Sequence, residues 1–576
     1  MKKTLHMHDL VIQNANVVDG LGNEPVAADV AVTNGRFTAI GRNCGKAART
    51  VDAAGLTLAP GIVDLHTHYD AQVTWDATLS PSPSLGVTSA VIGNCGFGIV
   101  PSPPVVRDLI LRNLSVVEGM DLDSLRTGVN WSFESFGSYM DALRSIAPYI
   151  NVAVLAGHSV IRTAVMGEDA SSRNEATTEE LSTMCAMVRE AMDHGAVGFA
   201  SSYSLNHSGY AGVPMPSTIT PWSEFDALVG AMSQHDHGII QLASGIRTVD
   251  ELEELSVNHN RAVFQSTGMA MFNEQEPDRA IQIFEACKAA NSRGQQVYVQ
   301  IPCQPLSFDF TMANAYPFYS HDAFGAIKAC PPDELKKIFA DTDFRDRFRS
   351  SLQNPQPGMI FQGNWNRVTV AVPALEKNAH LANQTIESIA HNQGADPLDV
   401  MMNLSLEEDL KTTFIGQFLN VGDDGVAELL RHESGVVSLS DAGAHLVFMC
   451  DAGFGLHFLS KWVRERGDFS LSQAIQRLTS HPADLYGLVD RGRIEPGAHA
   501  DMILFDPEKV GVTPAERVYD LPGGGPRTIR RPVGLHNVFV NGIEVFDGKN
   551  YVEHSNGPGH ILDRFQHSKN NQSAST

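Results

Sequence analysis

One supersecondary phrase recurs through the middle of this chain, and it restricts the possible folds more than any other feature. Thr177 and Glu180 have the spacing of a capping box, in which each side chain satisfies the other residue's free backbone N–H. Leu181, Met184, Cys185 and Val188 follow at helical spacing, His194-Gly195 ends the helix, and Ala196 to Ala200 run on as a buried strand. The phrase returns at Ser223-x-x-Asp226, closing at His237-Gly238 before Ile239-Ile240-Gln241-Leu242. A helix from Val249 to Val257 precedes Ala262-Val263-Phe264-Gln265. Another, opened by Pro277, ends at Arg293-Gly294 before Gln296 to Ile301. Short helices alternating with short apolar strands call for parallel strands with right-handed crossovers. Strand candidates lie near 62–66, 88–93, 151–156, 196–200, 238–242, 262–266, 296–302 and 435–441. Eight such units predict an α/β protein with a closed (β/α)8 TIM-type barrel, its active site at the strands' C-terminal ends. A doubly wound open sheet is the other arrangement, but no G-x-G-x-x-G follows an early strand.

The two ends of the chain read differently. Residues 7–59 hold short alternating runs, with Asn34-Gly35 as a hairpin signal, and the style returns in Asp501 to Phe505 and Val538 to Gly542. The expected organisation has residues 1–61 and 482–555 forming the two parts of a composite β-sandwich. Residues 62–481 form the barrel, with an insertion near 303–360 over the mouth, and the polar stretch 556–576 is a flexible tail.

At 576 residues the chain accommodates such a barrel and a smaller module. Its 66 acidic and 42 basic residues leave a net charge of −24, which argues against nucleic acid and anionic membranes as partners. No window reaches the ~18 apolar residues of a membrane span, and Met1 to Gly20 lack the apolar core of a secretory signal. The seven cysteines are scattered, with no C-x-x-C, so a disulfide scaffold is not expected. The expectation is a cytoplasmic protein acting on a small molecule. Its oligomeric state is open, a homo-oligomer included.

Four candidate metal-binding residues fall at predicted strand ends. His66 and His68 follow strand one at the i, i+2 spacing that sends two side chains to the same side. Cys95 follows strand two in Gly93-Asn94-Cys95-Gly96-Phe97-Gly98, and Asp441 ends strand eight in Ser440-Asp441-Ala442-Gly443-Ala444-His445. His, Cys and Asp all ligate zinc, and a catalytic zinc takes about three of them plus a water. Strands one, two and eight are neighbours in a closed barrel.

These residues also resemble a known family. His66-Thr67-His68 behind Ala59-Pro60-Gly61, Ser440-Asp441, Ser480-His481-Pro482-Ala483 and Gly492 to Asp501 resemble the amidohydrolase superfamily. Gly93 to Phe97, and Gly157-His158-Ser159-Val160-Ile161-Arg162 with Val165-Met166-Gly167, are similar to its D-aminoacylase branch, the N-acyl-D-amino-acid deacylases. The resemblance covers nearly all of residues 7–550. It implies a barrel with a sandwich built from both termini. It also implies a zinc-activated water attacking an amide carbonyl, with Asp441 as metal ligand and proton shuttle. The chain departs from the branch at strands five and six, which end in Gln241-Leu242-Ala243-Ser244-Gly245 and Gln265-Ser266-Thr267-Gly268 and carry no histidine. Strand four, Gly198 to Ser202, has no lysine to bridge two metals. The expected centre is therefore one zinc on His66, His68, Cys95 and Asp441.

His158 and Arg162 are candidates to orient a carbonyl oxygen or a substrate carboxylate, although an arginine there may equally pair with a neighbouring acid. His207 is a histidine available for recruitment to the mouth, and His445 either orients Asp441 or packs its loop. The expected activity is hydrolysis of an amide-type C–N bond, in an N-acyl amino acid or a related small amide. A cyclic amide or ester substrate, or a noncatalytic metabolite-binding barrel, are the alternatives.

Overall fold

The computed structural model describes residues 7–566, apart from 205, 246, 267–270, 328–329, 356–358 and 447–451. Eight parallel strands follow the predicted order: β1 (Ile62–Asp64), β2 (Val87–Ile92), β3 (Asn151–Gly157), β4 (Gly198–Ser202), β5 (Ile239–Ala243), β6 (Val263–Ser266), β7 (Val297–Gln300) and β8 (Gly435–Val436). Each pairs with its predecessor. The seam between β8 and β1 closes just beyond the strands. There the His68 N–H donates to the Ala442 carbonyl at 2.7 Å and the Asp441 N–H donates to that of His66 at 3.1 Å. Ser438 continues the ladder with its side chain, accepting the Leu65 N–H at 3.0 Å and donating to the Val63 carbonyl at 2.6 Å. The sheet is thus a TIM-type barrel. The seam sets the distance between the segments that carry His66 and Asp441.

The helices form largely where the pattern places them. Thr177 and Glu180 make the expected capping box at the start of Thr178–Asp193, and Pro277 opens Pro277–Ser292. Ser223 is not a cap: its helix already starts at Trp222 after Pro221. Strands from both chain ends share one separate eight-stranded sheet, joined where Met502–Phe505 runs antiparallel to Thr57–Pro60.

Two expectations need correction. The insertion extends well beyond 303–360. Its strand Leu306–Phe310 pairs with Thr413–Leu419, which pairs in turn with Val368–Val372, and helices complete a unit with its own phenylalanine-rich core. A stretch that ended at 360 would leave Leu306–Phe310 without its ladder partner. The tail is also shorter than expected. Residues 556–566 lie against the start of β3, where the Val152 N–H donates to the His560 carbonyl at 2.9 Å and the Leu562 N–H to that of Val152 at 2.8 Å. At Gly559 a Cβ would come 2.1 Å from the Ile150 carbonyl oxygen, so this segment is fitted closely into place. Residues 567–576 of the expected tail lie outside the described residues.

Candidate metal centre

His66 and His68 leave β1 side by side, their ring centroids 5.3 Å apart. The Nδ1 of His66 donates to Gln300 Oε1 at 2.9 Å, and Gln300 is oriented by its own Nε2 donating to the Tyr486 hydroxyl at 3.0 Å. The Nδ1 of His68 faces Glu118 Oε1 at 3.3 Å. With His66 Nδ1 hydrogen-bonded and His68 Nδ1 beside a carboxylate, the two Nε2 atoms turn inward. His66 Nε2 lies 3.5 Å from Cys95 Sγ and 3.3 Å from Asp441 Oδ1, and His68 Nε2 lies 3.5 Å from the same oxygen.

Cys95 reaches this point because its loop is held on three sides. Its backbone is left-handed, with φ of 55°, between Gly93 and Gly96, whose φ angles are 85° and 80°. A Cβ on Gly93 would meet the Leu155 carbonyl oxygen at 2.5 Å, and one on Gly96 would meet that of Ala200 at 2.7 Å. Only glycines let the loop pass this close to β3 and β4. The Cys95 N–H donates to Gln241 Oε1 at 2.7 Å, and Asn94 Nδ2 donates to the Thr67 carbonyl at 3.2 Å. Across the seam, Asp64 accepts the Ser440 hydroxyl and the His66 N–H, the latter at 3.3 Å, tying together the turns that carry His66 and Asp441.

The electrostatics follow from this crowding. Burial alone would push the Cys95 thiol up, but the facing imidazoles of His66 and His68 bring it down to about 7. Burial opposes charge on His66, yet Cys95 and Asp441 raise it to about 9. Glu118 and Asp441 likewise hold His68 well above the usual imidazole range against burial. Burial also works against the Asp441 carboxylate, and His68 and His66 more than offset it, so Asp441 stays ionised. A tetrahedral zinc with ordinary bond lengths has edges of about 3.3 Å between N or O donors and about 3.5 Å to sulfur. The three separations given above are close to those edges, and the donor atoms of His66, His68 and Cys95 all lie within 4.8 Å of one another, with Asp441 beside the two imidazoles. Among the described residues, no other group of three His, Cys, Asp or Glu side chains has its donor atoms within 4.8 Å of one another. Asp441 is 23% exposed, while both histidines are buried, so the centre opens on the Asp441 side.

The other expected residues divide. His445 adjoins Asp441, and burial lowers its ring to about 4 even though Asp441 opposes the shift. His207 also faces the mouth. Ser202 Oγ holds its Nδ1 at 2.6 Å, and burial together with His445 lowers it to about 3. His158 and Arg162, expected to meet substrate, instead form a closed buried cluster. His158 Nε2 lies 3.0 Å from Glu224 Oε1 and its Nδ1 lies 2.8 Å from Ser201 Oγ. Arg162 donates to that same Glu224 oxygen at 2.9 Å and to the carbonyls of Ala170, Arg173 and Asn174. This is the pairing with a neighbouring acid, and it leaves neither residue turned to the mouth.

Sequence reading missed Glu118, Gln300 and Tyr316. Gln300 had a signal, since glutamine also stands near the ends of β5 and β6, at Gln241 and Gln265. Glu118 had none, being one acid after an ordinary amphipathic helix. Tyr316 comes from the inserted unit, and burial pushes its phenol up to about 12, with Glu118 and Asp441 adding to the shift. Beyond Ser266, the expected strand-six residues Thr267 and Gly268 lie outside the described residues.

This architecture is shared with proteins of known activity. The D-aminoacylase of Alcaligenes xylosoxydans xylosoxydans is 26% identical, over 93% of this chain and 94% of its own. The N-acyl-D-glutamate deacylase of the same organism is 27% identical, over 96% of each. The N-acyl-D-glutamate deacylase from Bordetella bronchiseptica, solved with zinc and a phosphonate inhibitor, has the same fold. Its TM-score is 0.65 at 23% identity, covering 97% of this chain and 100% of that one. A D-aminoacylase crystal structure gives a TM-score of 0.66 with the same identity and coverage. The amidohydrolase family pattern matches residues 49–286 and 362–545, which carry β1 to β6 and β8. The break between the two segments takes in β7 and the first part of the inserted unit. With the pattern matched over most of its length, the chain belongs to the amidohydrolase family.

Proposed function

We propose that this chain is a zinc-dependent hydrolase of amide-type C–N bonds, with N-acyl-D-amino acids as the leading substrate class. His66, His68, Cys95 and Asp441 would hold one zinc. The observation that carries this reading is the convergence of the His66, His68 and Cys95 donor atoms within 4.8 Å of one another, with the ionised Asp441 carboxylate 3.3 and 3.5 Å from the two imidazoles. The relatives named above, one of them solved with zinc, supply the substrate class. A bound zinc would act as a Lewis acid and bring the pKa of water to about 7.

The chain's own groups would do the rest. Asp441, ionised and on the open side, takes the proton of the attacking water and returns it to the departing nitrogen. His207 and His445, kept neutral by burial, would hydrogen-bond the substrate as its carbonyl oxygen gains charge. Tyr316 brings the inserted unit to the same mouth, where it would select among acyl or leaving groups.

The test is metal analysis of the purified chain beside a hydrolysis panel of N-acyl-D-amino acids, N-acyl-L-amino acids, cyclic amides and esters. About one zinc per chain, following the three-ligand logic of catalytic sites, and turnover of the D-series are expected. Absence of both metal and hydrolysis would overturn the reading, and activity confined to cyclic amides or esters would replace the substrate class.

A further inference from the structure

The two histidines of the centre are not equivalent, and the difference lies in what sits behind them. His66 Nδ1 donates to a neutral amide oxygen, Gln300 Oε1, at 2.9 Å. His68 Nδ1 faces a carboxylate oxygen, Glu118 Oε1, at 3.3 Å. Glu118 is 2% exposed, and its side chain is aimed at the centre, away from solvent. Burying a carboxylate is expensive unless a partner offsets it, and at Glu118 burial outweighs the opposing pull of His68 and pushes the carboxyl up to about 8. The main chain of Glu118 also ties down the surroundings. Its N–H donates to the Leu114 carbonyl at 3.0 Å, and its own carbonyl accepts the His445 N–H. One residue thus sets its carboxylate at ion-pair distance from His68 and holds the turn after Asp441 with its backbone.

We propose that Glu118 is the positioning residue for the His68 ligand, and that its carboxylate sets how tightly the centre retains metal. This rests on the reading of the site as a metal centre. A carboxylate behind an imidazole fixes the tautomer with Nε2 free and makes that nitrogen a stronger donor than an amide would. His68 is then the anchoring histidine and His66 the weaker one. Because the bond to His445 runs through the Glu118 main chain, replacing the side chain leaves that bond in place.

The experiment uses the full chain as wild type, Glu118→Gln and Glu118→Asp, each stripped of metal and titrated with zinc against a chromophoric chelator. The cobalt(II)-loaded visible spectrum and the thermal midpoint of the metal-free chain are recorded for each. Glu118→Gln is expected to weaken zinc binding by ~10–100-fold and to shift the cobalt bands, with the metal-free midpoint unchanged and part of the affinity restored in Glu118→Asp. Affinity within about threefold of wild type, with unshifted bands, would overturn the assignment. So would weaker binding matched by a lower metal-free midpoint, which marks a structural role. If Glu118→Gln does not fold, Glu118→Met, which also lacks the carboxylate, is judged by the same two criteria against wild type. Wild-type chain that takes up neither zinc nor cobalt would instead overturn the metal centre itself, and this assignment with it.

Discussion

The mouth sector around β1, β2 and β8 and the sector around β3 and β4 are built from the same kinds of side chain. Each has buried histidine beside carboxylate at the ends of barrel strands. In the β3–β4 sector every contact is internal. Both ring nitrogens of His158 are engaged, by Ser201 and Glu224, and Arg162 spreads its donors over Glu224 and three carbonyls. In the other sector each histidine uses only Nδ1 for support and turns Nε2 toward Cys95 and Asp441. A polar cluster whose hydrogen bonds turn back on itself, here with Glu224 Oε2 the one carboxylate oxygen left without a partner, is scaffold, whereas one that aims its donor atoms at a shared point is a binding site. The kind of residue does not separate the two sectors. The direction of the lone pairs does.

The strongest way to break this comparison is to remove a donor from the open sector. Cys95→Ala is expected to lose zinc and activity together on dialysis against a mild chelator, beyond the ~10–100-fold that an outer partner is worth. Cys287→Ala, whose thiol burial pushes up to about 12 on a helix away from the mouth, should keep both. Zinc held as firmly by Cys95→Ala as by wild type would take Cys95 out of the ligand set.

The closed sector predicts the opposite phenotype. Arg162→Met leaves Glu224 buried without its guanidinium and is expected to cost about 3–5 kcal/mol of stability. Zinc content per folded chain and KM should not change. A chain as stable as wild type but with raised KM would return Arg162 to the substrate site.

Asp441→Asn keeps an acceptor in place but cannot take a proton. Turnover should fall by at least ~10²-fold in a folded, metal-loaded chain. Wild-type turnover there would remove Asp441 from proton transfer.

The smallest effect sharpens the comparison without a change in fold. In the metal-free chain, Cys95 should lose its proton near pH 7, so its thiolate is present above that pH and disappears below it. Thiolate absorbance of wild type minus Cys95→Ala reads this directly. A midpoint at the ordinary thiol value would mean that His66 and His68 do not face the sulfur as described.

Much of this architecture was legible in the chain. Capping residues, apolar periodicity and glycine stops act over a few residues, so the strand order and most helices could be read locally. The histidine pair, the glycine-flanked cysteine and the strand-eight aspartate were legible for the same reason, since each sits at a strand end marked by its own neighbours. The extent of the inserted unit was not, because Leu306–Phe310 finds its partner at Thr413–Leu419, across a long stretch of chain. The packing of 556–566 was hidden because its few apolar residues, Ile561, Leu562 and Phe565, lack a strand or helix period, and backbone hydrogen bonds to β3 that no local pattern announces fix them against the core. Glu118 and Glu224 were invisible because an isolated acid on a helix does not declare what it will face.

The sequence by itself determined the repeating βα grammar and the short list of side chains with metal-binding chemistry. The tertiary structure alone decided which of them converge. Val63 and Ser438 meet across 375 residues to close the seam, and only that closure brings Asp441 within reach of both imidazoles. It likewise decided that Glu224 faces His158 while Glu118 faces His68, making one histidine a strut and the other a candidate ligand. The physical reason is that local pattern sets where a side chain leaves the backbone. What it can bind depends on the distances and directions of groups brought together from far along the chain.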